Sequence, residues 1–144
     1  MTIQKVLRYI KVLALIGLGL SIYLLWQYFF RPPFQPCYIN SLVNCDAIVS
    51  GAVAKTFGIP TALYGFIGYI VILFAAITAR KKLLLGMSAF GLVFCLSIAY
   101  IELFQLHVVC PVCIGCQLVM ISIFSLAVWL NKTFLKTMVK SGHE

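Results

Sequence analysis

The sequence predicts an all-α integral membrane protein, a bundle of four transmembrane helices with a short half-helix in an outer-side loop between helices one and two. Three observations lead there. Of 144 residues, 63% are hydrophobic and 10% charged, where a soluble domain carries about 25% charged residues. Long apolar runs recur four times, with a mean hydropathy of +1.09 over the chain, and about 20 apolar residues suffice to cross a bilayer. The basic residues gather at the ends of those runs, as they do in membrane proteins that follow the positive-inside rule.

Helix one is expected over about 10–30, preceded by Lys5, Arg8 and Lys11. It is too long for the apolar core of a signal peptide and has no small-residue cleavage site. It ends in Trp26, Tyr28, Phe29 and Phe30, aromatics suited to a membrane interface. Arg31-Pro32-Pro33 stops it, because proline cannot continue a helix and restricts the residue before it. A loop over 31–60 follows, in which Asp46 to Phe57 has helical spacing but is too short to span. Such a segment suits a half-helix lying at the membrane surface.

Gly58-Ile59-Pro60 turns the chain into helix two, expected over about 61–79. Arg80-Lys81-Lys82 forms a basic turn, and helix three is expected over about 83–106. Helix four is expected over about 111–131, with Lys132, Lys136 and Lys140 in a polar tail. The whole chain, 1–144, reads as one membrane domain.

The net charge of +8 comes from eleven Lys+Arg against three Asp+Glu. Nine of the eleven lie at the N-terminus, the 80–82 turn and the C-terminal tail; only Arg31 and Lys55 lie elsewhere. That distribution places both termini in the cytoplasm and argues against nucleic acid as a partner. It also puts Cys37, Cys45, Cys110 and Cys113 on the outer side, while Cys95 and Cys116 fall within helices three and four as packing residues. The outer face of a bacterial cell membrane and the endoplasmic reticulum lumen are both oxidising.

Cys110-Pro111-Val112-Cys113 stands at the start of helix four. Proline fits the first helical position, so Cys110 is the expected cap and Cys113 lies in the first turn. Unpaired N–H groups and the helix dipole there favour a thiolate. One tight pair and one wide pair on the same side suit thiol–disulfide exchange from a soluble partner to a lipid-soluble acceptor. Other chemistries use the same residues. Four thiolates can form a structural zinc site, Cys37 and Cys45 can form a purely structural disulfide, and a thiol-based metal carrier or sensor is the reading from another functional class. Glu102 is a carboxylate inside helix three, which is costly unless functional or partnered. It is a candidate for proton delivery, and His107 is an interfacial histidine close to the CPVC.

The order of these pieces resembles the vitamin K epoxide reductase family in its bacterial form. The matching residues are Ser21-Ile22-Tyr23, Cys37, Asn44-Cys45-Asp46, Phe57-Gly58-Ile59-Pro60 with Gly65, and Tyr100-Ile101-Glu102-Leu103-Phe104 running into Cys110-Pro111-Val112-Cys113. The disulfide bond protein B family also has four helices, but its CxxC lies in the first loop and its wider pair in the second. The resemblance implies a four-helix bundle around a quinone. It implies that Cys37 and Cys45 take electrons from a thioredoxin-like partner resembling DsbA in the bacterial periplasm. Cys45 then forms a transient disulfide with Cys110, and Cys113 donates to the quinone. Phe57, Thr61 and Gln117 would contact the ring. Many bacterial relatives carry a fused thioredoxin-like domain; this sequence ends at Glu144, so the expected partner is a separate protein. The animal enzymes have Asn where this chain has Thr61 and Tyr where it has Gln117, which favours ubiquinone or menaquinone over vitamin K epoxide. The family's Ser or Thr six residues beyond the second loop cysteine is Gly51 here, beside Ser50.

Overall fold

The computed structural model describes residues 2–30, 33, 39–43 and 55–141. Cys37, Cys45, Ser50, Gly51 and all but the end of the expected half-helix lie outside the described residues. Four apolar helices make up most of what is described: α1 (Ile3–Phe30), α2 (Thr61–Ile77), α3 (Lys81–Tyr100) and α4 (Pro111–Ser141). Three of these segments, Ile3–Phe30, Lys81–Leu106 and Pro111–Ser141, are long and apolar enough to cross a membrane. Thr61–Ile77 is equally apolar but has 17 residues, about 25 Å at 1.5 Å per residue.

The helix ends follow local chemistry. Two residues at each end of a turn pair Lys55–Thr56 (β1) with Ile59–Pro60 (β2) in antiparallel register. Phe57 and Gly58 at its tip both have positive φ, 54° and 81°, as a type I′ hairpin turn requires. The sequence expectation of a half-helix reaching Phe57 therefore gives way at its last residues to a strand and a turn. Pro60 then caps α2. At the other end of α2, the Arg80 N–H reaches back to the Ala75 carbonyl at 2.9 Å with Ala79 left-handed, the 6→1 bond of a Schellman stop. Lys81 and Lys82 thus fall in the first turn of α3 rather than in the turn before it.

Two further departures carry physical reasons. Residues Ile101–Leu106 continue α3 as a π-helical turn, a wider winding often found at functional sites. It ends at His107, left-handed at φ 52°. Helix α4 continues ten residues past Asn131, to Ser141. Nothing in that stretch breaks a helix, and its lysines recur every fourth residue, so bilayer thickness limited the expected span but not the helix itself.

Packing follows one stripe on each helix. Val6, Ile10, Ala14, Gly17, Ser21, Leu24 and Gln27 of α1 are buried at helical spacing. Of these, Val6, Ile10 and Ala14 share one core with Tyr69, Ile72, Ala75 and Ala76 of α2 and Met120, Ile123, Ala127 and Leu130 of α4. That core fills the end of the bundle bearing the termini and the basic 80–82 turn. Small residues allow close approach, as expected where lipid removes the hydrophobic drive between helices. A Cβ placed on Gly17 would overlap the Tyr69 ring. Tyr69 is fixed there by donating its hydroxyl hydrogen bond to the Cys116 carbonyl at 3.0 Å. Large apolar side chains such as Phe29, Phe74, Ile77 and Val93 are exposed, as lipid contact demands.

Candidate functional site

At the opposite end from the core, Cys110 and Cys113 form a second, smaller buried cluster with Leu24. Helix α4 begins at Pro111, where the missing proline N–H would have had no partner in any case. The Cys113 backbone N–H donates to Cys110 Sγ at 3.4 Å. Cys110 therefore caps the helix through its sulfur, as the CPVC spacing anticipates.

Glu102 lies across from this cap. The π turn brings it inward, and it is only 3% exposed. Its carboxylate accepts a hydrogen bond from the Cys110 backbone N–H at 2.5 Å. The carboxylate, Cys110 Sγ and Cys113 Sγ all lie within 4.8 Å of one another, so these three groups are the described residues best placed to hold a metal ion. His107 stands apart, its Nδ1 3.1 Å from the Leu103 carbonyl at the surface.

Cys110 is buried, yet its pKa is held below the ordinary thiol value. The Cys113 thiol is the main cause, hydrogen-bonding the Cys110 sulfur; burial pushes the other way, and the Cys113 backbone N–H adds to the lowering. The carboxylate of Glu102 opposes it by charge. Negative charge on the reduced pair is thus favoured at Cys110, where the helix start can stabilise it. The sign gives a prediction. As pH rises, Cys110 should lose its proton earlier than an ordinary thiol, and Cys113→Ala should move that transition up in pH. Following the Cβ chemical shift of 13C-labelled cysteine through a titration reads both.

Cys113 also lines a cavity between α1, α2, α3 and α4, between the two buried clusters. Its volume of about 120 Å³ is near that of the ~150 Å³ apolar cavity known to accept one benzene. The wall is almost wholly apolar, with Phe90, Phe94 and Ile72 among its residues. Thr61 and Gln117 both line it, as does Ser21, whose hydroxyl donates to the Gly17 carbonyl at 2.9 Å. Phe57 does not: it is 97% exposed at the hairpin tip and absent from the wall. Sequence reasoning missed Tyr69, Cys95 and Cys116, which also line the cavity. For Tyr69 a signal existed, since a buried tyrosine hydroxyl needs a partner; the two cysteines carried none beyond their helical position.

An apolar cavity with Cys113, Thr61 and Gln117 in its wall suits a small apolar ring bearing hydrogen-bonding oxygens. One more contact links this site to the loop. The Val109 N–H donates to the Leu42 carbonyl at 2.6 Å, and Val43 pairs with Val109 as a parallel bridge. The loop backbone is thereby docked one residue before Cys110.

Compared with known proteins, residues 8–128 match the sequence profile of the vitamin K epoxide reductase family. No curated protein matches the chain.

Proposed function

This chain belongs to the vitamin K epoxide reductase family, which makes it a membrane oxidoreductase of the thiol–disulfide type in a family that uses quinones. From that premise we propose that it oxidises a thioredoxin-like, DsbA-like dithiol protein through Cys37 and Cys45. Electrons pass from there to Cys110 and Cys113 and on to ubiquinone or menaquinone, in support of disulfide bond formation. The proposed setting is the inner membrane of a bacterium, spanned four times, with both termini cytoplasmic and the four cysteines on the outer side. The observation that carries the reading is that one CPVC residue, Cys113, lines the cavity while the other, Cys110, follows the residue that docks the loop.

The relay runs as two exchanges. Val43, bridged to Val109, precedes Cys45 by two residues, and two residues span at most about 7 Å. Cys45 is the loop residue that this relay assigns to Cys110. Its thiolate attacks a Cys110–Cys113 disulfide at Cys110, and Cys113 leaves as the thiolate at the cavity wall. Cys37 then re-forms its bond to Cys45, releasing Cys110. The lowered pKa of Cys110 makes it the better leaving group in that step. A bound quinone supplies a two-electron, two-proton acceptor. Cys110 closes on Cys113 as the electron pair leaves through the cavity. Thr61 and Gln117, both in the cavity wall, would hold the acceptor there.

Glu102 has two parts in this scheme. Its carboxylate anchors the Cys110 N–H, and among the described residues it is the acid placed beside both sulfurs to hold and pass a proton. Glutamine keeps an acceptor for that N–H but cannot transfer the proton. Glu102→Gln should leave the thermal midpoint nearly unchanged and slow quinone reduction about 100-fold. Unaltered turnover across the pH range would remove the proton role.

The whole reading is tested in proteoliposomes holding the protein and a quinone, with a reduced thioredoxin-like dithiol protein outside. Oxidation of that dithiol that requires both quinone and Cys45 is the expected result. Bound zinc or mercury in the purified protein, with no quinone-dependent oxidation even after a chelator has removed the metal, would favour a metal carrier instead.

A further inference from the structure

The three groups at the start of α4 do more together than the relay asks of them. Two thiols and a carboxylate have their ligand atoms within 4.8 Å of one another, and all three residues are buried. Each comes from a fixed piece of backbone. Cys110 caps α4 and Cys113 sits on its first turn, and Glu102 sits on the π turn. The bond from the Cys110 N–H orients the carboxylate, the role that outer hydrogen bonds have around metal ligands.

We propose that the reduced Cys110–Cys113 dithiol and Glu102 form a binding site for one thiophilic divalent cation of the zinc and cadmium class, and that its occupation blocks disulfide formation. The donor set selects the cation. Two sulfurs and one carboxylate oxygen suit zinc or cadmium, while magnesium and calcium take oxygen ligands alone. Zinc needs sulfur at about 2.3 Å and oxygen at about 2.0–2.2 Å, which in tetrahedral geometry sets the donors roughly 3.5–4 Å apart. Small side-chain rotations inside the 4.8 Å cluster reach that spacing. Three protein ligands leave a fourth position open to water or another donor.

The site exists in one redox state only. Binding replaces two S–H bonds by two sulfur–metal bonds and sends two protons to solvent, and no electron moves. A Cys110–Cys113 disulfide offers neither sulfur as a thiolate, so oxidised protein does not bind. Conversely, sulfurs held by the cation cannot close on each other. The proposal extends the relay by giving its dithiol state an inhibitor, but it does not depend on quinone chemistry.

The test uses the full chain in detergent, reduced and anaerobic, carrying Cys37→Ser and Cys45→Ser so that the loop thiols cannot contribute. Cadmium is titrated in. The readouts are the thiolate-to-cadmium ultraviolet band and the mass of the intact complex. One cadmium per chain is expected, with the band lost in Cys110→Ser and after oxidation to the disulfide. Glu102→Gln should weaken binding at least about tenfold, while Glu102→Asp, which keeps a carboxylate, should retain more of it. Binding that survives Cys110→Ser, binding indifferent to Glu102→Gln, or no binding by folded reduced protein would each overturn the proposal. If metal-free protein fails to reduce quinone yet binds cadmium as described, the relay falls and this site stands; the reverse pattern removes the site alone.

Discussion

Cys113→Ala is expected to abolish quinone reduction, by at least about a thousandfold, while leaving the bundle folded. The two sulfurs of the CPVC face different parts of the molecule. Cys113 is in the cavity wall, so its loss removes the only CPVC sulfur with access to an acceptor there. Cys110 stays behind Val109, next to the docked loop, and remains open to exchange. The variant should therefore accumulate a disulfide between Cys45 and Cys110 that has no internal thiol to resolve it from the α4 side. Non-reducing digestion and mass spectrometry would show the linked peptides. Cys110 found bonded to Cys95 or Cys116 instead would break the proposed electron path. Cys113 is buried beside Leu24 and Val112, and replacing its sulfur by hydrogen leaves a small apolar gap worth about 1 kcal/mol. Loss of activity will not reflect loss of fold.

The largest effect on stability is expected at Gly17. A Cβ at this position would overlap the ring of Tyr69. The ring cannot swing aside freely, being 2% exposed and held by its hydroxyl to the Cys116 carbonyl. Gly17→Ala should cost about 1–3 kcal/mol through overpacking, and Gly17→Leu considerably more, by separating α1 from α2. Thermal unfolding in detergent measures both. Tyr69→Phe serves as the control: it keeps the ring and loses one hydrogen bond, worth about 0.6 kcal/mol inside a membrane bundle. If the clash is the cause, Tyr69→Leu combined with Gly17→Ala should cost less than the sum of the two single changes. Additive costs would place the strain elsewhere.

These two sites differ in how far the sequence announces them. The CPVC is legible because three physical signals coincide: a proline suited to the first helical position, two thiols at i and i+3, and an apolar run behind them. The helices are legible for a similar reason. Apolar runs near bilayer length are separated by Pro32-Pro33, Gly58 and Arg80-Lys81-Lys82, which lipid and backbone sterics treat as stops. Gly17 is silent, because one glycine in a glycine-rich apolar helix does not reveal which ring it faces. The π turn at Ile101–Leu106 is silent too, since widening the winding by one residue leaves no mark in composition. Without that turn the sequence can say that Glu102 is buried and expensive, but not that its carboxylate meets the Cys110 N–H. Cys95 and Cys116 read as small apolar fillers, and only the packing of four helices shows that both line the cavity with Cys113. Phe57 differs again: the resemblance puts it beside the ring, and the structure places it at a hairpin tip, 97% exposed.

The account stands most directly on whether the CPVC alone can reduce a quinone. Fully reduced protein, without any partner and without oxygen, should be mixed with one equivalent of ubiquinone or menaquinone in lipid nanodiscs. The prediction is one quinol formed per chain, seen by absorbance, together with a Cys110–Cys113 disulfide in the same sample. Quinone left unreduced by folded protein, or quinol formed with Cys110 and Cys113 still as thiols, would contradict it.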